Sequence, residues 1–135
     1  MTDRSIAPPL AGNILASQGD GFVVAEWKDA GGHAEERRLI APLHLHHKDD
    51  EAWYVLEGRL RVQVGDKEVE ARAGAAVLVP RGTPHTYWNP GPGHVRYLLI
   101  MTTNIHNLIQ AIHATSDRSP AALKELFRKF DSELL

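Results

Sequence analysis

His44 and His46, with Glu51 shortly after them and His85 further along, are the residues of this chain best suited to chemistry. In an extended strand, side chains two positions apart point to the same face. His44 and His46 therefore project together, about 6.6 Å apart along the backbone. Two imidazoles at that spacing reach one ion, because a metal–imidazole bond is only about 2.0–2.1 Å long. A carboxylate at Glu51 and a third imidazole at His85 would complete a site of three nitrogens and one oxygen. That donor set suits a divalent first-row ion (iron, manganese, nickel, copper or zinc) better than calcium or magnesium, which take oxygen shells. One such ion per chain is the expected cofactor.

The other histidines read as ordinary. His47 adjoins His46 but faces the opposite side of the same strand. His33, His94, His106 and His113 have no partner at ligand spacing. Asp49 and Asp50 belong to a charged connection, Lys48-Asp49-Asp50, and read as solvated surface. That connection has to break the strand, since an unbroken one from His46 would turn residue 51 to the wrong face.

Strands must carry these ligands, and turn signals delimit them. Phe22–Lys28 and Glu35–Ile40 are extended runs on either side of Asp29-Ala30-Gly31-Gly32. The clearest hairpin joins Leu60–Val64 to Lys67–Ala71 through Gly65-Asp66, and a two-residue loop that opens with Gly predicts a type II′ turn. In that register Val62 opposes Val69, and Arg61 opposes Glu70. Leu60, Val62, Val64, Val69, Ala71 and Ala73 form an apolar face, while Arg59, Arg61, Gln63, Glu68, Glu70 and Arg72 face water. Ala75–Val79 is a short apolar strand stopped by Pro80, and the turn Pro80-Arg81-Gly82-Thr83-Pro84 leads into His85. His85 and Tyr87 share a face, and Val95–Met101 closes the strand-rich region. Short strands with Gly/Pro turns and no helix between them predict an all-β barrel or sandwich.

After Thr103 the period changes. Ile105, Leu108, Ile109 and Ile112 recur at helical spacing, as do Leu123, Leu126, Phe127 and Phe130. Ser119 and Pro120 fit the N-cap and first residue of the second helix. Both stripes are expected to pack on the barrel exterior or on a second subunit, with a lid over the barrel mouth as the alternative.

The composition narrows the function classes. At 135 residues the chain is expected to be one domain, with a barrel over about 20–103 and helices over about 104–135. Without cysteine there is no disulfide framework, thiolate site or cysteine nucleophile. A net charge of −2 gives no basic footprint for nucleic acid or anionic lipid. Asp3, Arg4, Pro8 and Pro9 interrupt any apolar stretch of signal-peptide or membrane-spanning kind, so the cytoplasm is the expected location. No serine triad, P-loop, dinucleotide fingerprint or zinc finger stands out.

The run His44-Leu45-His46, four residues, Glu51, six residues, Gly58 resembles the first signature of the cupin superfamily. Gly74, five residues, Pro80-Arg81-Gly82, two residues, His85, three residues, Asn89 resembles the second. Arg38 stands where the first signature often opens with glycine, and Ala75 where an acidic residue follows the second signature's glycine. Neither is a ligand position in the family pattern. The resemblance implies a double-stranded β-helix, the cupin jelly-roll barrel, with a short C-terminal helical segment. It also implies a metal held by His44, His46, Glu51 and His85 inside the barrel, with an open coordination position for catalysis. Trp53 and Val55 share the face of Glu51, and with Tyr87 they are expected to line a largely apolar substrate pocket. Arg38 is two-residue phased with His44 if Pro42 does not break the strand, and is then the candidate anchor for an anionic substrate. Trp27, Tyr97 and Met101 are further candidates for the lining. Similar proteins include dioxygenases of aromatic and enolic substrates, quercetin dioxygenase among them, and Glu51 would be both ligand and proton acceptor. The alternatives are a non-redox isomerase or lyase and a small-molecule-binding protein without turnover. A homodimer is expected, because Trp53–Leu56 and Tyr97–Met101 are apolar on both phases and need cover on both faces.

Overall fold

The computed structural model describes residues 10–15, 21–32 and 37–135. His33 and the first part of the run expected at Glu35–Ile40 lie outside the described residues. Ten strands and two helices follow one another among the described residues. They are β1 (Ile14–Leu15), β2 (Phe22–Asp29), β3 (Leu39–His46), β4 (Glu51–Glu57), β5 (Arg59–Val64), β6 (Lys67–Arg72), β7 (Ala76–Val79), β8 (His85–Trp88) and β9 (Val95–Thr102), then α1 (Thr103–Ala114), α2 (Pro120–Lys129) and β10 (Ser132–Leu134). Two antiparallel five-stranded sheets face each other, in the orders β1-β2-β9-β4-β7 and β10-β3-β8-β5-β6. This is the jelly-roll barrel with a short helical tail. No helix among the described residues is long and apolar enough to cross a membrane.

Period-two patterning builds the core. Along β9, Val95, Tyr97, Leu99 and Met101 are buried, while Arg96, Leu98, Ile100 and Thr102 between them are not. β4 does the same with Glu51, Trp53 and Val55. The β5–β6 hairpin has the expected register, with Val62 opposite Val69 and Arg61 opposite Glu70. Gly65 has φ +62 and Asp66 does not take a positive φ, as a type II′ turn requires. Burial is less uniform than the alternation implies: Leu60, Val62 and Ala71 are buried, but Val69 is 37% exposed on the edge strand and Ala73 is exposed beyond its end.

β3 is where the strand pattern departs from simple alternation. Its pairing with β8 shifts register between Leu39 and Ala41, and again between Ala41 and His44, around Pro42, which has no N–H to give to a ladder. Counting by twos from Arg38 to His44 therefore fails. Arg38 precedes the strand, its side chain is 64% exposed, and its guanidinium lies 3.7 Å from the Asp29 carboxylate.

Thr102 caps α1 by accepting from the Ile105 amide, and Ser119 caps α2 by accepting from Ala122, with Pro120 in the first turn. Ile105 is part of the barrel's core cluster, with Ile109 packed against it. After α2 the chain turns through Phe130 and Asp131, the latter with φ +52, and adds β10 antiparallel to β3. Exterior packing alone does not describe this tail, because α2 and β10 come up to the histidine-bearing strand.

Candidate metal centre

His44 and His46 lie at the end of β3, Glu51 opens β4 and His85 opens β8. Pairing sets His44 opposite His85 across one sheet, and the 47–50 connection brings Glu51 in from the other. One ring nitrogen from each of His44, His46 and His85 lies within 4.8 Å of the others. Glu51 Oε2 is 3.2 Å from His46 Nε2, and Glu51 Oε1 is 3.8 Å from His85 Nε2. All four side chains are buried.

Hydrogen bonds at the far side of each ring fix its orientation. His44 Nδ1–H donates to the Pro42 carbonyl at 2.6 Å, and His85 Nδ1–H donates to the Thr83 carbonyl at 2.9 Å. A carbonyl can only accept, so each Nδ1 carries the proton and, in a neutral ring, each Nε2 carries the lone pair. His46 Nδ1 is 2.7 Å from Ser132 Oγ, whose single hydrogen goes to the Phe130 carbonyl at 3.0 Å. With that hydrogen committed, His46 Nδ1–H is the donor, and its Nε2 also faces inward as an acceptor.

Burial and the neighbouring His85 lower the His44 pKa to about 4. Burial likewise holds His85 below the usual imidazole value. Both rings are thus neutral at pH 7, the form that binds metal. Nε2 of His46 and Nε2 of His85 are buried with no hydrogen-bond partner. The Glu51 carboxylate is close enough to His46 Nε2 for a hydrogen bond but makes none, so it lies beside the nitrogen rather than along its axis. Two ligands at about 2.1 Å from a shared ion stand about 3.0–3.4 Å apart, side by side. The donor set fits a divalent transition ion, with His44, His46 and His85 as the core and Glu51 adjoining.

Aromatic rings surround the cluster. The Trp53 ring centroid is 5.8 Å from His85 and 5.2 Å from Tyr87, and the Phe127 ring on α2 stands edge-on to His44 at 5.6 Å. Tyr87 and Tyr97 share a hydrogen bond of 2.9 Å between their hydroxyls. Burial pushes the Tyr87 phenol up to about 12 and the Tyr97 phenol higher still, so neither serves as a base near pH 7. Val55 is fully buried further along β4, opposite Tyr97. Met101 is buried opposite Glu51. Arg38 stays on the surface with Asp29, apart from this group. A cavity of about 430 Å³ bounded by Gly58, Arg59, Arg72, Asn89 and Gly93 contains none of the ligands.

The remaining polar side chains have ordinary partners. Asp50 pairs with Arg81, which holds its carboxyl below the usual range, and Asp49 accepts from Asn104. His47 is exposed near Glu133, and His94 meets Glu57. Two residues at the site escaped the sequence reading: Ser132, behind His46, and Phe127, assigned only to a packing stripe. Ser132 carries no motif, and only the pairing of β10 with β3 brings it to His46.

The protein-family pattern described as the cupin domain matches residues 34–101. Among curated proteins, a stretch of 49 residues is 37% identical to mannose-1-phosphate guanylyltransferase 2 of Escherichia coli O157:H7, covering 36% of this chain and 10% of that protein. A sugar phosphate isomerase of the cupin superfamily from Silicibacter pomeroyi superposes with a TM-score of 0.53 at 22% identity, over 62% of this chain and 51% of that one. The polyketide cyclase RemF from Streptomyces resistomycificus superposes with a TM-score of 0.51 at 26% identity, over 63% and 56%. The chain spans only a tenth of the curated relative's length and about half of each of these two structures.

Proposed function

The chain belongs to the cupin family, and from that premise we propose that it is a mononuclear metal-dependent dioxygenase of small aromatic or enolic molecules. The observation that carries the reading is the convergence of three imidazoles and the Glu51 carboxylate, buried beneath aromatic rings. A bound divalent ion supplies Lewis acidity toward a substrate oxygen and, in a redox-active form, a path for electrons to dioxygen. The chain's own residues do the rest. His44 and His85 remain neutral and oriented at working pH. Glu51, beside His46 and His85, accepts the proton of an enol or phenol hydroxyl. Trp53, Tyr87 and Phe127 exclude water and present ring surface to a planar substrate. Both atoms of dioxygen end in the cleaved product, so the substrate is the reductant and no nicotinamide or flavin is required.

A second reading, metal-dependent cyclisation or isomerisation without redox change, is favoured by the 26% identity to a polyketide cyclase. It uses the same carboxylate as base. The two separate in one experiment: protein loaded with iron, manganese, nickel or copper is offered flavonols, diketones and catechols while oxygen and substrate are followed together. The dioxygenase reading expects one oxygen consumed per substrate, abolished in His46→Ala. Substrate loss without oxygen uptake moves the assignment to the non-redox reading. Bound but unaltered substrate in every combination removes both and leaves a small-molecule-binding protein.

A further inference from the structure

We infer that the C-terminal turn and strand, residues 130–134, are a working part of the metal centre, with Ser132 as the positioning residue for His46. The inference rests on the reading of His44, His46 and His85 as ligands. β10 pairs with the two-histidine strand at both ligand positions, Ser132 opposite His46 and Leu134 opposite His44. The His47 amide donates to the Asp131 carbonyl and the Leu135 amide to the Leu43 carbonyl, so backbone bonds flank the pair on both sides. Ser132 is 2% exposed.

The hydrogen bonds have a direction. The Phe130 carbonyl accepts from Ser132 Oγ at 3.0 Å and from Asn104 Nδ2 at 2.8 Å, and Asn104 also donates to Asp49 at 2.8 Å. The carbonyl, held from α1, takes the only hydrogen of Ser132. Ser132 is left as an acceptor, and His46 Nδ1–H fills it at 2.7 Å. His44 and His85 take the same orientation from the backbone carbonyls two residues before them, at Pro42 and Thr83. His46 alone of the three depends on a side chain 86 positions away. Without Ser132, the imidazole can turn its proton toward Glu51 and offer the metal no lone pair.

Two measurements on the intact chain test this. The first is the Zn2+ dissociation constant by titration of chelator-treated protein. Ser132→Ala is expected to weaken binding 10- to 100-fold, as loss of a ligand's outer partner does, with Ser132→Thr, which keeps the hydroxyl, recovering most of it. The second is the tautomer of His46 in the metal-free protein by nitrogen-15 NMR. The wild type is expected to show the Nδ1–H form, and Ser132→Ala a mixture or the Nε2–H form. Equal Zn2+ affinity in wild type and Ser132→Ala overturns the inference. Failure of the wild type to bind Zn2+ defeats the metal-centre reading instead, and the tautomer then decides the role of Ser132 alone. A wild-type His46 protonated at Nε2 overturns that role, and this outcome is readable even if Ser132→Ala does not fold.

Discussion

Burial of His44 prepares it as a ligand and makes it a source of acid sensitivity. In the unfolded chain this imidazole takes a proton below its ordinary value of 6.5, and in the folded chain only below about 4. Between those values the unfolded state binds more protons, so stability falls as pH drops through that window and is fully present above it. The shift corresponds to on the order of 3 kcal/mol for the metal-free protein. Urea melts near pH 7 and near pH 4.5 should show wild type losing more stability than His44→Gln over that interval; equal losses would refute the assignment. The burial of His44 and His85 also moves proton competition at those two rings to lower pH than an exposed histidine would meet, and at pH 6 the His44 ring, with its pKa lowered to about 4, does not oppose metal binding. Replacing two ligands, His46→Ala with His85→Ala, should leave the barrel folded and reduce metal content to background by elemental analysis. Unchanged content would remove the metal centre. The pairing of His44 with His46 was legible in the sequence because strand parity is rigid and residues 44 and 46 share a face, whereas His85 and Glu51 joined them only through the spacing of the two family signatures. The same parity does not carry back to Arg38, because the pairing shifts register ahead of Pro42 and again across it, the break on which that reading depended.

At the scale of elements, backbone approach matters as much as side-chain packing. Gly58 joins β4 to β5 with φ +76, and an added Cβ would collide with the His94 carbonyl. Gly65 in the β5–β6 turn has a similar φ of +62, but its Cβ would meet only the Thr83 methyl at 3.8 Å. Gly65→Ala should therefore cost about 1 kcal/mol, the left-handed backbone penalty alone. Gly58→Ala should cost about 3 kcal/mol or more, because displaced backbone adds to the same penalty. Equal unfolding midpoints for the two variants would contradict the difference in surroundings. The hairpin and both helices were legible because each carries a repeated signal: alternation around a Gly-led turn, or a 3.6-residue stripe behind a Ser-Pro cap. β1 and β10 were not, since two and three residues are too few for any period to show. β10 exists because β3 offers it an edge, a tertiary cause with no local trace.

For the molecule as a whole, the outer face of the β1-β2-β9-β4-β7 sheet poses an unresolved demand for cover. Antiparallel sheets with one wet face usually turn polar residues outward. Here a row across the sheet reads Leu78, Ala52, Ile100 and Val24 in register, with Tyr54 and Leu98 paired in the next row. Leu78 is 61% exposed and Tyr54 37%, and Phe22 at 65% borders, with Leu78 and Ile100, a shallow apolar groove of about 150 Å³ at the sheet's end that also reaches Glu51 and Met101. The helices do not supply the cover, since Ile105 packs into the core cluster and Phe127 against His44. Contiguous apolar surface of this kind marks an association site, and a two-fold pair of such faces is self-complementary. We expect a homodimer through this sheet face, burying about 800 Å² on each partner as stable interfaces do. Light scattering at micromolar concentration should give twice the 15.0 kDa chain mass, and a lysine at the centre of the row, Ile100→Lys, should halve it. Circular dichroism of that variant should match wild type, because residue 100 points away from the core and its neighbours Leu99 and Met101 keep theirs. A wild-type mass of one chain would end the dimer proposal and leave the apolar face to a different partner, while the metal reading of His44, His46 and His85 rests on separate observations.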